Sequence, residues 1–208
     1  MLPRTIVCAV ASAAMALVAS AAGAHEQEAR PAPSLSAAPH LAVIRHAPDF
    51  SLIDVSGRQV RLADLRGRVV LLAFIYTGCQ DACPLLSHRM ALLQARLAKN
   101  GLSADRVQLL SVTVDPEYDT AAVLARYASD FNAKAGWLFL RESPERLSPV
   151  LTAYDEWRKR VPNGELDHPA RLHLIDAAGR VREIYSLAFF DERQAYLDIV
   201  ALTRSDPP

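Results

Sequence analysis

Cysteine is scarce in this chain. There are three in 208 residues, and Cys8 lies within an apolar N-terminal run. Any disulfide or soft-metal site in the exported form must therefore use the remaining pair, Cys79 and Cys83. A basic block is also missing: Lys plus Arg and Asp plus Glu stand at 23 each, so nothing suggests a nucleic-acid surface. No internal repeat or low-complexity segment follows residue 48. The stretch beyond it, about 160 residues, has the size of one domain with ample material for one core.

What is present begins with a leader. Arg4 gives a short basic start, the chain is then almost wholly small and apolar to about Ala22, and Ala22-Gly23-Ala24 closes the run. This is the layout of a secretory signal peptide over residues 1–24, with cleavage leaving His25 first. The rival reading is an uncleaved anchor, but Leu, Val and Ile are few against many Ala, and such a run inserts weakly. Export to the periplasm is expected, or, with the leader retained, anchoring in the inner membrane facing the periplasm. Residues 25–47 are rich in Ala and Pro and read as a flexible tether. The folded domain is expected over 48–205.

Within that domain, Phe50–Ile53 and Gln59–Leu62 alternate around Asp54-Val55-Ser56-Gly57, a hairpin pattern. Val69–Tyr76 is a continuous apolar run, as in a strand buried on both faces. A helix follows from about Ala82 to Lys99, with Leu86, Met90, Leu93 and Leu97 on one face and Asn100-Gly101 as its stop. Val107–Val114 is a second buried strand, with a helix near 121–131 and a short strand at Trp137–Leu140. Ser143-Pro144 opens the next helix with a cap and a first-turn proline. Arg171–Ile175 and Val181–Tyr185 form a hairpin around Ala177-Ala178-Gly179, and a helix at about Glu192–Thr203 closes the chain. This order predicts an α/β fold of thioredoxin-like type: a central mixed sheet flanked by helices, with an N-terminal hairpin.

Cys79-Gln80-Asp81-Ala82-Cys83-Pro84 falls where the first central strand gives way to its helix. Free N–H groups and the helix dipole at that point favour a thiolate, the form that binds metal or attacks disulfides. A spacing of four returns Cys83 toward the face of Cys79. The bite is wider than that of C-x-x-C and suits two sulfurs around one ion, without forbidding a disulfide. A purely structural disulfide across so short a loop would stabilise little. Among the histidines, His88 is turned away on the helix, His173 reads as a satisfied sheet residue, and His40 and His46 lie in the tether. His168, in the loop Asn163–Pro169, lies at the loop end that faces the dithiol in this element order. Two thiolates and one imidazole suit copper better than closed, four-ligand structural zinc.

Three separated motifs carry a family resemblance: Tyr76-Thr77-Gly78-Cys79-Gln80-Asp81-Ala82-Cys83-Pro84, Val114-Asp115-Pro116-Glu117-Tyr118-Asp119-Thr120, and Asp167-His168 ahead of Leu174-Ile175-Asp176-Ala177-Ala178-Gly179. Over roughly residues 47–203 the chain resembles the Sco/SenC family. The resemblance implies a thioredoxin-like fold, copper(I) or copper(II) held by Cys79, Cys83 and His168, one ion per monomer, and delivery to the dinuclear copper site of cytochrome c oxidase. The expected partners are the copper-bearing oxidase subunit or another copper chaperone, with membrane contact only through an uncleaved leader. Asp115-Pro116-Glu117 would shape the rim, although Asp115 also suits a plain turn. A competing function is a thiol–disulfide oxidoreductase, with Cys79 attacking and Cys83 resolving, that keeps a partner's copper-ligand cysteines reduced. It has no use for His168. A peroxiredoxin is disfavoured because Tyr76 occupies the threonine position of its T-x-x-C motif. A module that only docks partners would leave the dithiol and histidine unexplained.

Overall fold

Seven consecutive buried residues, Val69–Ile75, form the strand at the centre of the molecule. In the computed structural model, residues 35–205 are described apart from positions 81, 103, 163 and 164. The leader, Cys8, residues 25–34, Asp81 and Asn163 lie outside the described residues. The strands are β1 (Arg45–His46), β2 (Ser51–Asp54), β3 (Gln59–Arg61), β4 (Val69–Ile75), β5 (Val107–Thr113), β6 (Trp137–Arg141), β7 (Lys159–Arg160), β8 (Leu166–Asp167), β9 (Arg171–Ile175) and β10 (Arg180–Ser186). The helices are α1 (Ala82–Lys99), α2 (Ala121–Asp130), α3 (Pro144–Ala153) and α4 (Glu192–Ser205).

Eight strands make one mixed sheet in the order β1-β10-β9-β4-β5-β6-β2-β3. β4, β5 and β6 run parallel, with Leu71 opposite Leu109 and Leu110 opposite Leu138. Parallel neighbours need crossover helices, and α1 and α2 supply them. Their common placement is marked by side-chain bonds, Ser87 Oγ to Tyr127 Oη at 2.9 Å and Gln94 to the Lys134 carbonyl at 3.2 Å. Leu86, Met90, Leu93 and Leu97 of α1 are all buried, as their 3.6-residue spacing predicts. The other face of β4 meets the end of α3, where Tyr154 packs against Phe74 with ring centroids 5.7 Å apart. The fold is thioredoxin-like.

Four details depart from the sequence reading. Residues 41–47 are not free tether: Leu41 and Ala47 are buried, and β1 pairs with β10. Ser143 precedes α3 with extended backbone, but its side chain accepts no cap bond. Its N–H instead donates to Glu142 Oε1 at 2.8 Å. Leu166–Asp167 is not loop but β8, paired with β7 in a small separate hairpin. His173 is buried, and among the described residues its ring nitrogens have no hydrogen-bond partner, only the approach of Glu156 Oε1 to 3.5 Å from Nε2, so it is not a satisfied sheet histidine. The β9–β10 turn does follow expectation. Gly179 adopts φ +77°, a left-handed backbone conformation that favours glycine.

Candidate metal centre

The site lies where β4 and β5 end and α1 begins. Cys79 stands in the turn after β4, its N–H donating to the Tyr76 carbonyl at 3.4 Å. Cys83 is in the first turn of α1 and donates its backbone N–H to Cys79 Sγ at 3.3 Å. The helix N-terminus thus supplies a donor to the first sulfur, as the motif's position predicts. The two cysteines are not joined in a disulfide; Cys83 is buried and Cys79 half-buried. The Cys83 thiol is pushed well above its ordinary value, first by its hydrogen bond to Cys79 and then by burial. One outward sulfur and one inward, proton-retaining sulfur make an unequal pair.

His168 reaches the pair from the far end of the sequence. The β7–β8 hairpin, joined again by Val161 N–H to the Glu165 carbonyl at 2.9 Å, delivers the chain to it. His168 Nε2 lies 3.9 Å from Cys83 Sγ, across a separation of 85 residues. Two donors with bonds of about 2.0 Å (N) and 2.3 Å (S) at 120° around one ion would be about 3.7 Å apart. The spacing of this one pair is close to what a shared ion needs, while among the described residues no three His, Cys, Asp or Glu side chains converge into a ready-made metal site. Burial lowers the imidazole below its ordinary value, which favours the neutral ring, the form a metal takes. Cys79, Gln80, Leu166, Asp167 and His168 line a cleft of about 270 Å³ that opens this edge to solvent. His88 is exposed on α1, and His40 and His46 are exposed near the N-terminal lead-in; none of them lines this cleft.

Two supporting residues were not assigned roles from sequence. Tyr76 stands edge-on to the His168 ring at 5.6 Å. Its phenol is pushed up to about 12 by burial, then by the charge of Cys79 and a hydrogen bond with it. It therefore touches both the nitrogen and the sulfur side of the cleft. Asp119 is fully buried and accepts from Thr77 N–H at 3.2 Å, from Thr77 Oγ1 and from Thr113 Oγ1. It latches the turn that carries Cys79 onto the end of β5. The only advance signal was its place in a motif, since both contacts depend on tertiary structure.

The rim is charged. Asp115 is buried, with Arg160 Nη2 at 3.4 Å from its carboxylate, and burial raises it above the ordinary carboxylate value. Its carbonyl accepts the N–H groups of Tyr118 and Asp119, so it is both turn residue and rim residue. Arg158 forks onto Glu117 at 2.6 and 2.9 Å. Among the described residues, no helix is long and apolar enough to cross a membrane.

The SCO1/SenC family profile matches residues 40–204. A curated relative, the mitochondrial SCO2 homolog of Bos taurus, is 38% identical over 146 residues, covering 67% of this chain and 53% of that protein. The chain thus spans about half the length of that relative. Among solved structures, Bradyrhizobium japonicum ScoI with copper bound is 29% identical with a TM-score of 0.66, covering 76% of this chain and 99% of that one. Yeast Sco1 with copper bound is 25% identical with a TM-score of 0.67, covering 79% and 91%.

Proposed function

This chain belongs to the SCO1/SenC family, and from that premise we propose that it is a copper metallochaperone which delivers its ion to the dinuclear copper site of a respiratory cytochrome c oxidase. Cys79, Cys83 and His168 are its ligands, one ion per monomer. The observation that carries this reading is the approach of His168 Nε2 to Cys83 Sγ at 3.9 Å beside Cys79. A histidine held there has no part in thiol exchange and every part in metal binding. The copper-bound ScoI and Sco1 structures of similar fold support the choice of ion. Two soft thiolates hold copper(I); the imidazole adds the harder donor that copper(II) needs. The export signature supports a periplasmic domain that meets the oxidase's copper-bearing subunit, or another copper chaperone.

A second reading rests on the inequality of the two sulfurs. An outward Cys79 and an inward Cys83 with a raised pKa are also the attacking and resolving pair of a thiol–disulfide oxidoreductase. Oxidase copper-site assembly at limiting copper, in cells carrying Cys79→Ser, Cys83→Ser or His168→Ala, separates the two. Delivery requires all three residues, so each variant is expected to lose assembly. A His168→Ala strain that assembles oxidase normally would transfer the function to thiol reduction.

A further inference from the structure

Gly78 is a glycine that the fold does not require. Its backbone is not left-handed, and a Cβ there would meet only the Tyr76 ring, at ordinary contact distances of 3.7 and 3.8 Å. What a side chain at this exposed position would fill is open space. Gly78 lines a second hollow of about 350 Å³, whose other walls include Tyr118 and the Asp115–Arg160 pair. Tyr76, Gln80, Glu165 and Leu166 line both this hollow and the cleft that holds Cys79 and His168. The two share a floor of buried Tyr76 and Leu166 and edges of exposed Gln80 and Glu165.

An apolar floor with polar edges is the build of a recognition surface. Tyr118 adds an anchor. It is 61% exposed, yet its turn is pinned. The Tyr118 N–H donates to the Asp115 carbonyl at 3.1 Å, and Arg141 donates to the Pro116 and Asp119 carbonyls at 3.0 Å each. An exposed aromatic ring on a pinned turn offers contact area at little entropic cost.

Delivery sets what must lie here. Copper(I) passes between proteins by ligand exchange, so a partner's thiolate or imidazole must reach the ion beside Cys79, the outward sulfur. The chain carrying that donor runs on past it and needs room. Gly78, next to Cys79 and without a side chain, leaves that room open toward Tyr118. We propose that the cleft and the second hollow form one groove that seats an extended segment of the partner protein. Its copper-ligating side chain lies at Cys79, its backbone passes over Gly78, and an apolar side chain packs against Tyr118. The inference rests on the delivery reading above for the partner's chemistry.

The test loads the protein with copper(I) and follows transfer to two acceptors. One is a reduced, metal-free copper-binding domain of an oxidase subunit; the other is bicinchoninate, a small chelator that needs no seat. Gly78→Leu fills the groove and Tyr118→Ala removes its anchor, with Gly78→Ala and Tyr118→Phe as conservative controls. Copper(I) affinity should stay within about twofold in all four, since the ligands are untouched. Transfer to the domain should slow about tenfold or more in Gly78→Leu and Tyr118→Ala and little in the controls, with extraction by bicinchoninate unchanged. Should Gly78→Leu not fold, Tyr118→Ala, on the surface, carries the test alone. Unchanged transfer to the domain would overturn the proposal. So would an equal slowing toward both acceptors, which would place the effect in the metal site.

If the parent hands no copper to the domain, the delivery reading fails by itself, and the groove is decided without metal. In Cys83→Ser, the Cys79 thiolate displaces thionitrobenzoate from a short peptide whose single cysteine is activated with it, leaving the peptide joined through a disulfide. Amide shifts at Gly78, Tyr118 and Leu166 would show the peptide seated in the groove. Shifts confined to other surfaces, such as exposed Leu85 and Phe189, would overturn the proposal.

Discussion

Glu117 shows how a single rim side chain can be tuned by its partner. The Arg158 hydrogen bonds, outweighing a small burial penalty, hold its carboxyl down to about 2, against an ordinary 4.5. A depressed carboxylate stabilises the fold fully above its ordinary value, and the contribution is lost as pH falls through the folded one. The window thus runs from about 4.5 down to about 2. Glu117 is 52% exposed, so solvent screening trims the benefit to about 0.5–1 kcal/mol. Glu117→Gln should cost that amount at neutral pH and nothing near the lower end of the window, as measured by urea unfolding at both pH values. An equal loss at both would mean that the Arg158 fork contributes through packing rather than charge.

At the scale of elements, Asp119 joins two strand ends that are far apart in sequence. Thr77 lies 42 residues before it, and Thr113 belongs to the neighbouring strand. Asp119→Ala strands three donors, one on buried Thr113 and two on half-buried Thr77, each costing about 1–3 kcal/mol where it stays unsatisfied. Some will find water, so a net loss of about 2–4 kcal/mol is expected in chemical unfolding. Copper(I) binding should weaken too, because the turn holding Cys79 is no longer tied down. Asp119→Asn keeps one acceptor and should cost less. This latch was not legible in the sequence, although its neighbours were. α1 runs over the very residues its apolar spacing and Asn100-Gly101 stop predicted, and the all-buried β4 and β5 stood out as unbroken apolar runs. By contrast, β1, β7 and β8 are two residues each, below the length at which a period of two can show. Asp119 and Tyr76 acquire their roles only when distant segments meet. Glu156, following a helix, carries no sequence mark of burial. His168 was placed by topology and by resemblance; spacing alone could not have chosen it.

At the scale of the whole molecule, a shared ion would add a crosslink between segments of the chain that are far apart in sequence. Cys79 stands in the turn ahead of α1 and Cys83 in its first turn, while His168 stands ahead of β9, 85 residues after Cys83. An ion held by all three crosslinks the approach to β9 with the start of the crossover that leaves its neighbour β4, and it does so only in the native state. Ligands that bind only the native state stabilise it by RT ln(1 + [L]/Kd), about 2.7 kcal/mol at a hundredfold excess over Kd. A Cys79–Cys83 disulfide is a different constraint: it closes a loop of a few residues and removes little entropy from the unfolded chain. Three thermal unfolding curves therefore have a predicted order. The copper(I)-loaded protein should melt highest, with the disulfide form and the reduced, metal-free form closer together below it. Loading should fail altogether once the disulfide has formed, since both thiolates are consumed. A free-thiol count paired with metal analysis should then give one copper per monomer with two thiols, and none without them. In His168→Ala the copper(I) rise should largely persist and the copper(II) rise collapse. Tight copper retained by the oxidised protein would rule out the three-ligand site.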